Sequence, residues 1–234
     1  MQQPVGFPLV PQPFGGASRR AEAGAAFDWL RQGVLFFMAR PLLWLAGTAL
    51  TLLIVAAGLM LPLFGPVLIF LFLPSALAGL LLVCRELAHD RKPGLGTLAS
   101  GFHGKSGSLL WLGLGLAAFF SCAFWCGKLL AGNADGFAAL LFSGFITLLL
   151  AIPVLLAAGF APALVFFNDM PPVEAMRSSF NAGVKNWPAL LVLALLLALI
   201  APVVIISAGI ALLILIPVMS GALYAAYRDI FPET

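Results

Sequence analysis

Few side chains in this chain are able to do chemistry, and Glu86, His89, Asp90 and His103 come nearest to a ligand cluster. Glu86 and His89 stand three apart, the spacing that places two metal ligands on one helix face in bundle sites. Such sites need inward-facing partners from other helices. Here the surrounding stretch, RELAHDRKPGLGTLASGFHGKSG, reads as an exposed basic loop, so no metal is expected. The thiols offer little more. Cys122 and Cys126 lie one turn apart on one helix, where their Cβ vectors do not converge for a disulfide. Two thiols also fall short of a metal set, so they and Cys84 read as packing residues. No Ser-His-Asp signature, phosphate-binding glycine loop or zincin motif is present. The expectation is a non-enzyme with no catalytic residue and no cofactor.

Basic side chains remain. Arg85, Arg177, Lys185 and Arg228 fall close to the ends of apolar segments. There each could meet an anionic lipid headgroup, an interaction of about 1 kcal/mol near such a surface. The rule that retains Lys and Arg on the cytoplasmic side accounts for the same four without any ligand.

The elements that must position these groups follow from composition. The 234 residues are 62% apolar and 9% charged, with a mean hydropathy of +1.10. A soluble domain is about half apolar and a quarter charged. Long uncharged apolar runs read as transmembrane helices. Six occur, at about 42–60, 67–84, 108–126, 137–167, 188–206 and 210–227. The predicted fold is an all-α integral membrane protein with three hairpins in a single domain, 19–234, which leaves no room for a separate soluble domain. The fourth run would make a helix of about 46 Å against a hydrocarbon core of about 30 Å. It must tilt, bend or break, and Pro153, Gly159 and Pro162 are the places to do so.

Charge placement sets the orientation. Of the 12 Lys and Arg residues, all but Lys128 fall on one side of this topology. That side is expected to be cytoplasmic, with both termini on it. Trp44, Trp111 and Trp187 mark span ends on that side and Trp125 the other, as an aromatic belt would. No Asp, Glu, Lys, Arg or His lies inside a span, which argues against a proton-driven transporter. The net charge of +3 is scattered rather than clustered, so nucleic acid is not an expected partner.

Two further helices are predicted outside the spans. Phe27, Leu30, Val34, Phe37 and Met38 share a helical stripe within 19–39, and Val173, Met176, Phe180, Val184 and Trp187 do so within 171–187. Both read as amphipathic helices in the cytoplasmic interface. Asp169 is the expected N-cap of the second, with Pro171 and Pro172 in its first turn. Residues 1–18, with Pro4, Pro8, Pro11 and Pro13, read as a disordered, extended tail. Lacking a basic opening stretch, the chain is not expected to start with a cleaved signal. Small residues four apart, Ser75 with Gly79, Ala194 with Ala198 and Gly221 with Ala225, are expected to pack helices closely.

The first and last hairpins look duplicated. LPSALAGLLLVCRE and IPVMSGALYAAYRD share a proline followed eleven residues later by an Arg-acid pair: Pro74 to Arg85–Glu86 and Pro217 to Arg228–Asp229. Both hairpins cross in the same direction, so the repeat would be parallel. The middle hairpin, ending FAPALVFFND, reads as a degenerate third copy. If the pairs are equivalent, they must sit at the same depth on one face.

The stretch APALVFFNDMPPVEAMRSSFNAGVKNWPALLV, with the closing YAAYRDIF, resembles a family of uncharacterised proteobacterial inner-membrane proteins, notably from beta-proteobacteria. The resemblance covers 25–232. It rests on Ala161–Leu164, Pro171–Val173, Phe180 with Trp187, and Tyr227–Asp229. More distantly the chain is similar to the membrane domain fused to some glycerophosphodiester phosphodiesterases, whose catalytic domain it lacks. The resemblance implies a bacterial inner-membrane location and no particular reaction. The expected function is a membrane scaffold or accessory subunit of a larger complex, touching lipid and a membrane-protein partner or a second copy. The alternative is a transporter or channel for a small solute or lipid.

Overall fold

The computed structural model describes residues 16–61, 64–103, 106–131 and 136–232. The prolines at 4, 8, 11 and 13 and Lys105 therefore lie outside the described residues. Those described are helical, without a strand. In order they form α1 (Ala25–Ala39), α2 (Pro41–Leu59), α3 (Gly65–Ala88), α4 (Leu95–Ala99) with a 3-10 turn over Ser100–Phe102, and α5 (Ser106–Ala131). Then come α6 (Phe137–Gly159), α7 (Ala161–Asn168), α8 (Pro172–Lys185), α9 (Trp187–Ile206) and α10 (Leu212–Ile230). Pro41, Pro66, Pro162 and Pro188 occupy first turns, where a missing N–H costs no helical hydrogen bond.

Six stretches are long and apolar enough to cross a membrane: α2, α3, α5, α6 with α7, α9 and α10. They are unequally enclosed. Half of α10 and 44% of α3 are buried across their most apolar windows, against 11% of α9 and 6% of α6–α7. The core accordingly forms around α3, α7 and α10, through Leu81, Cys84, Leu164, Ala222, Tyr227 and Ile230. The outer helices present Leu, Ile and Phe outward, as helices solvated by lipid do.

The fourth span breaks where its proline and glycine allow. Pro162 cannot donate to the carbonyl four residues back, and the chain turns at Phe160 between α6 and α7. The Ser179 hydroxyl of α8 fills the gap. It donates to the Leu156 carbonyl at 2.7 Å and accepts from the Phe160 N–H at 3.0 Å. Both backbone groups are thereby satisfied inside an apolar region, where an unpaired one is costly.

Elsewhere the helices meet backbone to backbone. A Cβ on Gly33 of α1 would overlap the Val218 carbonyl and come within 2.9 Å of the Ala222 nitrogen of α10. A Cβ on Gly101 would overlap the Ser75 carbonyl and come within 2.6 Å of the Gly79 nitrogen of α3. Ser75 and Val218 each follow a proline, Pro74 and Pro217, and Gly79 and Ala222 each stand five residues after it. A third close approach brings Gly113 of α5 onto Leu71 of α3.

Several expectations look different in three dimensions. Helix α1 starts at Ala25, and it packs along α10 as far as Val218 and Gly221. It turns Ala26, Trp29 and Gly33 inward and leaves Phe27, Val34 and Met38 of the apolar stripe outside. Helix α8 does the same, with Ala175, Ser179, Ala182 and Gly183 inward and Val173 and Val184 outward, and Trp187, which opens α9 rather than ending α8, is also exposed. Part of the stretch after α3 is not exposed: α4 and its 3-10 turn fold back on α3, and Gly101 is buried. Trp44 is enclosed, its indole N–H donating to the Phe36 carbonyl at 2.9 Å, so it is a packing residue. Asp169 does not cap α8; it closes α7 in a left-handed conformation, and Pro171 precedes α8. Ala194 and Ala198 face outward and are exposed, whereas Gly79 and Gly221 do mediate close contacts.

Candidate functional site

Arg85 and Arg228 come together at one end of the bundle. They line a single small cleft with Phe167, Asn168, Tyr224 and Tyr227, about 20 Å³ in volume and partly open to the outside. Each wall is the closing turn of an inner helix. Arg85 belongs to the last turn of α3 and Arg228 to that of α10, where cations are favoured by the helix dipole. Phe167 and Asn168 end α7, which stops because Asp169 turns left-handed at φ 57° and its N–H closes onto the Leu164 carbonyl.

Aromatic rings hold the charged groups in place. The Arg85 guanidinium lies 5.0 Å from the Phe167 ring centroid, a cation–π arrangement. Phe167 in turn packs on Tyr227 at 5.8 Å and on Tyr224 at 6.3 Å between centroids. The Tyr227 hydroxyl donates to the side-chain oxygen of Asn168, tying α10 to α7. The Tyr224 hydroxyl sits within the influence of both guanidinium groups and is a side-chain partner of Arg228.

The acids that follow the two arginines point elsewhere. Glu86 pairs with Arg91 at 3.1 Å. Asp229 accepts from Arg19 and, at 2.9 Å, from the Trp29 indole N–H. Among the described residues the cleft lining includes no carboxylate.

An extended segment closes this end. Ser178 donates to the Gly16 carbonyl at 2.6 Å, and Lys185 donates to the Ser18 carbonyl. Asn186 is fully buried; it receives the Ala21 N–H at 2.7 Å and donates to the Arg19 carbonyl at 3.0 Å. The Arg19 N–H reaches the Ile230 carbonyl at 2.8 Å. Residues 16–21 thus strap α8 to α10.

Of the four basic residues singled out from sequence, the structure brings Arg85 and Arg228 together in one cleft. Arg177 and Lys185 lie exposed on α8, outside the cleft lining. The Glu86, His89, Asp90 and His103 group does not converge. His89 and His103 each direct Nδ1 at the carbonyl four residues back, at 2.8 and 3.0 Å, so that nitrogen carries the proton. Among the described residues no three His, Cys, Asp or Glu side chains gather as a metal set. Cys84 is buried, and Cys122 faces outward.

Sequence reasoning missed Phe167, Asn168 and the two tyrosines as cleft residues. The sequence offered one signal: the middle hairpin closes on a polar residue followed by an acid, Asn168–Asp169, as the other two close on Arg85–Glu86 and Arg228–Asp229. Asn186, Ser179 and Trp29 carried no such signal, because their partners are distant in the chain.

Six membrane-length helices, with no strand among the described residues, define an all-α, multi-pass membrane protein. Comparison with family models, with curated proteins and with solved structures gives no match.

Proposed function

We propose that this protein is a non-enzymatic scaffold or accessory subunit of a larger assembly in a bacterial inner membrane, with both termini cytoplasmic. The observation that carries the reading is the contrast between its interior and its flank. Inside, helices meet backbone to backbone at Gly33, Gly101 and Gly113, which makes the bundle solid at those levels. Outside, α6 and α9 are almost bare across their most apolar stretches, at 6% and 11% buried. Those flanks fit lipid, a membrane-protein partner or a second copy of the chain. Nucleic acid is not among the partners proposed. Arg19, Arg85, Lys185 and Arg228 gather at the end where the strap lies, whereas Lys128 closes α5 at the other. This separation supports the cytoplasmic assignment, and the resemblance of 25–232 to inner-membrane proteins supports the location. The outward stripes of α1 and α8 fit helices seated at the membrane surface.

Tagged protein captured in native nanodiscs and analysed by mass spectrometry should carry a stoichiometric protein partner or form a defined oligomer. Purified protein that by itself moves a solute or lipid across liposomes would overturn the scaffold reading. It would favour the second reading, lipid or solute handling, which the cleft at Arg85 and Arg228 supports.

A further inference from the structure

We propose that the cleft where α3, α7 and α10 end is a binding site for a single phosphate-class anion, presented by a lipid headgroup or free in solution. The proposal goes beyond the scaffold reading and holds whether or not that reading does. It also narrows the basic residues involved to two.

Arg85 is the anchor. Among the described residues it forms no ion pair, and its neighbour Glu86 is engaged by Arg91. The Arg85 guanidinium carbon lies 5.0 Å from the Phe167 ring centroid, a cation–π contact that holds the charge at the cleft wall without using up its hydrogen-bond donors. Arg228 contributes a second positive charge from the facing helix, braced by its own contacts, Tyr224 among them. Three helix C-termini oppose an anion here with partial negative charge, which reduces two full positive charges without cancelling them. Their pull also explains why the arginines stay.

The chemistry selects phosphate over carboxylate. One guanidinium fork satisfies both oxygens of a carboxylate, whereas a phosphate offers oxygens to donors approaching from more than one side. Donors from two different helices, α3 and α10, reach the one cleft. The amide of Asn168 and the phenols add neutral polar contacts. The space is short and ringed by aromatic side chains, suited to a compact headgroup rather than an acyl chain.

The test uses the full chain. Thermal stability is followed as inorganic phosphate is titrated against chloride at constant ionic strength, and separately in nanodiscs of phosphatidylcholine with and without phosphatidylglycerol. A saturable stabilisation by phosphate, by phosphatidylglycerol or by both is expected, and the effective probe identifies the source of the anion. Arg85→Gln should weaken that response by about tenfold or more. Asn168→Asp, nearly isosteric and still able to accept from Tyr227, should weaken it too by placing a carboxylate in the wall. Arg177→Gln with Lys185→Gln should leave it unchanged. No saturable response to either probe, or equal loss in the α8 double variant, would overturn the proposal and leave the arginines as helix-end charges.

Discussion

The inner helices α3 and α10 accept their neighbours in one way and the α6–α7 helix in another. In the first pair a proline sits inside a continuous helix, and a glycine from a neighbouring segment rests on the carbonyl that follows: Gly101 on Ser75, Gly33 on Val218. In the middle hairpin the helix breaks outright, and the Ser179 hydroxyl is inserted between Leu156 and Phe160. The first solution relies on shape and the second on hydrogen bonding. What the contrast teaches is that glycine at the contact permits an unbroken helix, and its absence is met by a polar plug.

Substitutions at the glycines should show the largest effects. Gly33→Ala and Gly101→Ala force a methyl into a backbone carbonyl and should each cost about 1–3 kcal/mol, with larger residues costing more. Gly183→Ala meets only the Leu156 side chain and should cost at most about 1 kcal/mol. Unfolding measured in detergent would decide. Equal costs at all three positions would erase the distinction between the two kinds of contact.

The serines should differ in sign. Ser179→Ala leaves a buried carbonyl and N–H without their partner and should cost about 1–3 kcal/mol. Ser75 is buried as well, yet its hydroxyl has no partner among the described residues. Burying such a group carries a cost that alanine removes, so Ser75→Ala should be neutral or stabilise by up to about 1 kcal/mol. A matched pair of melting curves tests both. Destabilisation by Ser75→Ala would show that its hydroxyl bonds to something, such as a water.

The smallest effect is expected at the strap. Arg19 is exposed, so its pairing with Asp229 is worth no more than about 1 kcal/mol and should fade with salt. Arg19→Gln should therefore lower stability slightly at low ionic strength and not at all at high. A loss that persists in high salt would assign the contribution to the backbone of the strap instead.

How legible all this is in the sequence depends on the range of the interaction. The six spans are local: apolar run length sets each, and the break near Pro162 follows from a run too long for one crossing. That Arg85 and Arg228 each close a span was legible from the apolar runs they end, and the structure places both in one cleft. Burial of Trp44, docking of Gly101 on Ser75 and the role of Asn186 were not. Each depends on a neighbour supplied by a remote stretch, and in an apolar chain many neighbours would satisfy the same periodicity. Ala194 and Ala198 show the reverse failure: four-residue spacing of small residues suggests a packing face but does not say whether the partner belongs to the same chain.

The strap also imposes an order of events on biosynthesis. Arg19 and Asp229, which it joins, are 210 residues apart. At roughly 5–20 residues per second, about 10–40 s separate the synthesis of the first from that of the second. For that interval α1 has emerged, but α10, the helix it will cover, has not been made. The groove for Gly33 arises only with the last helix, so the earliest segment is among the last to find its place. Closure of the bundle therefore reports that α10 has been delivered to the membrane.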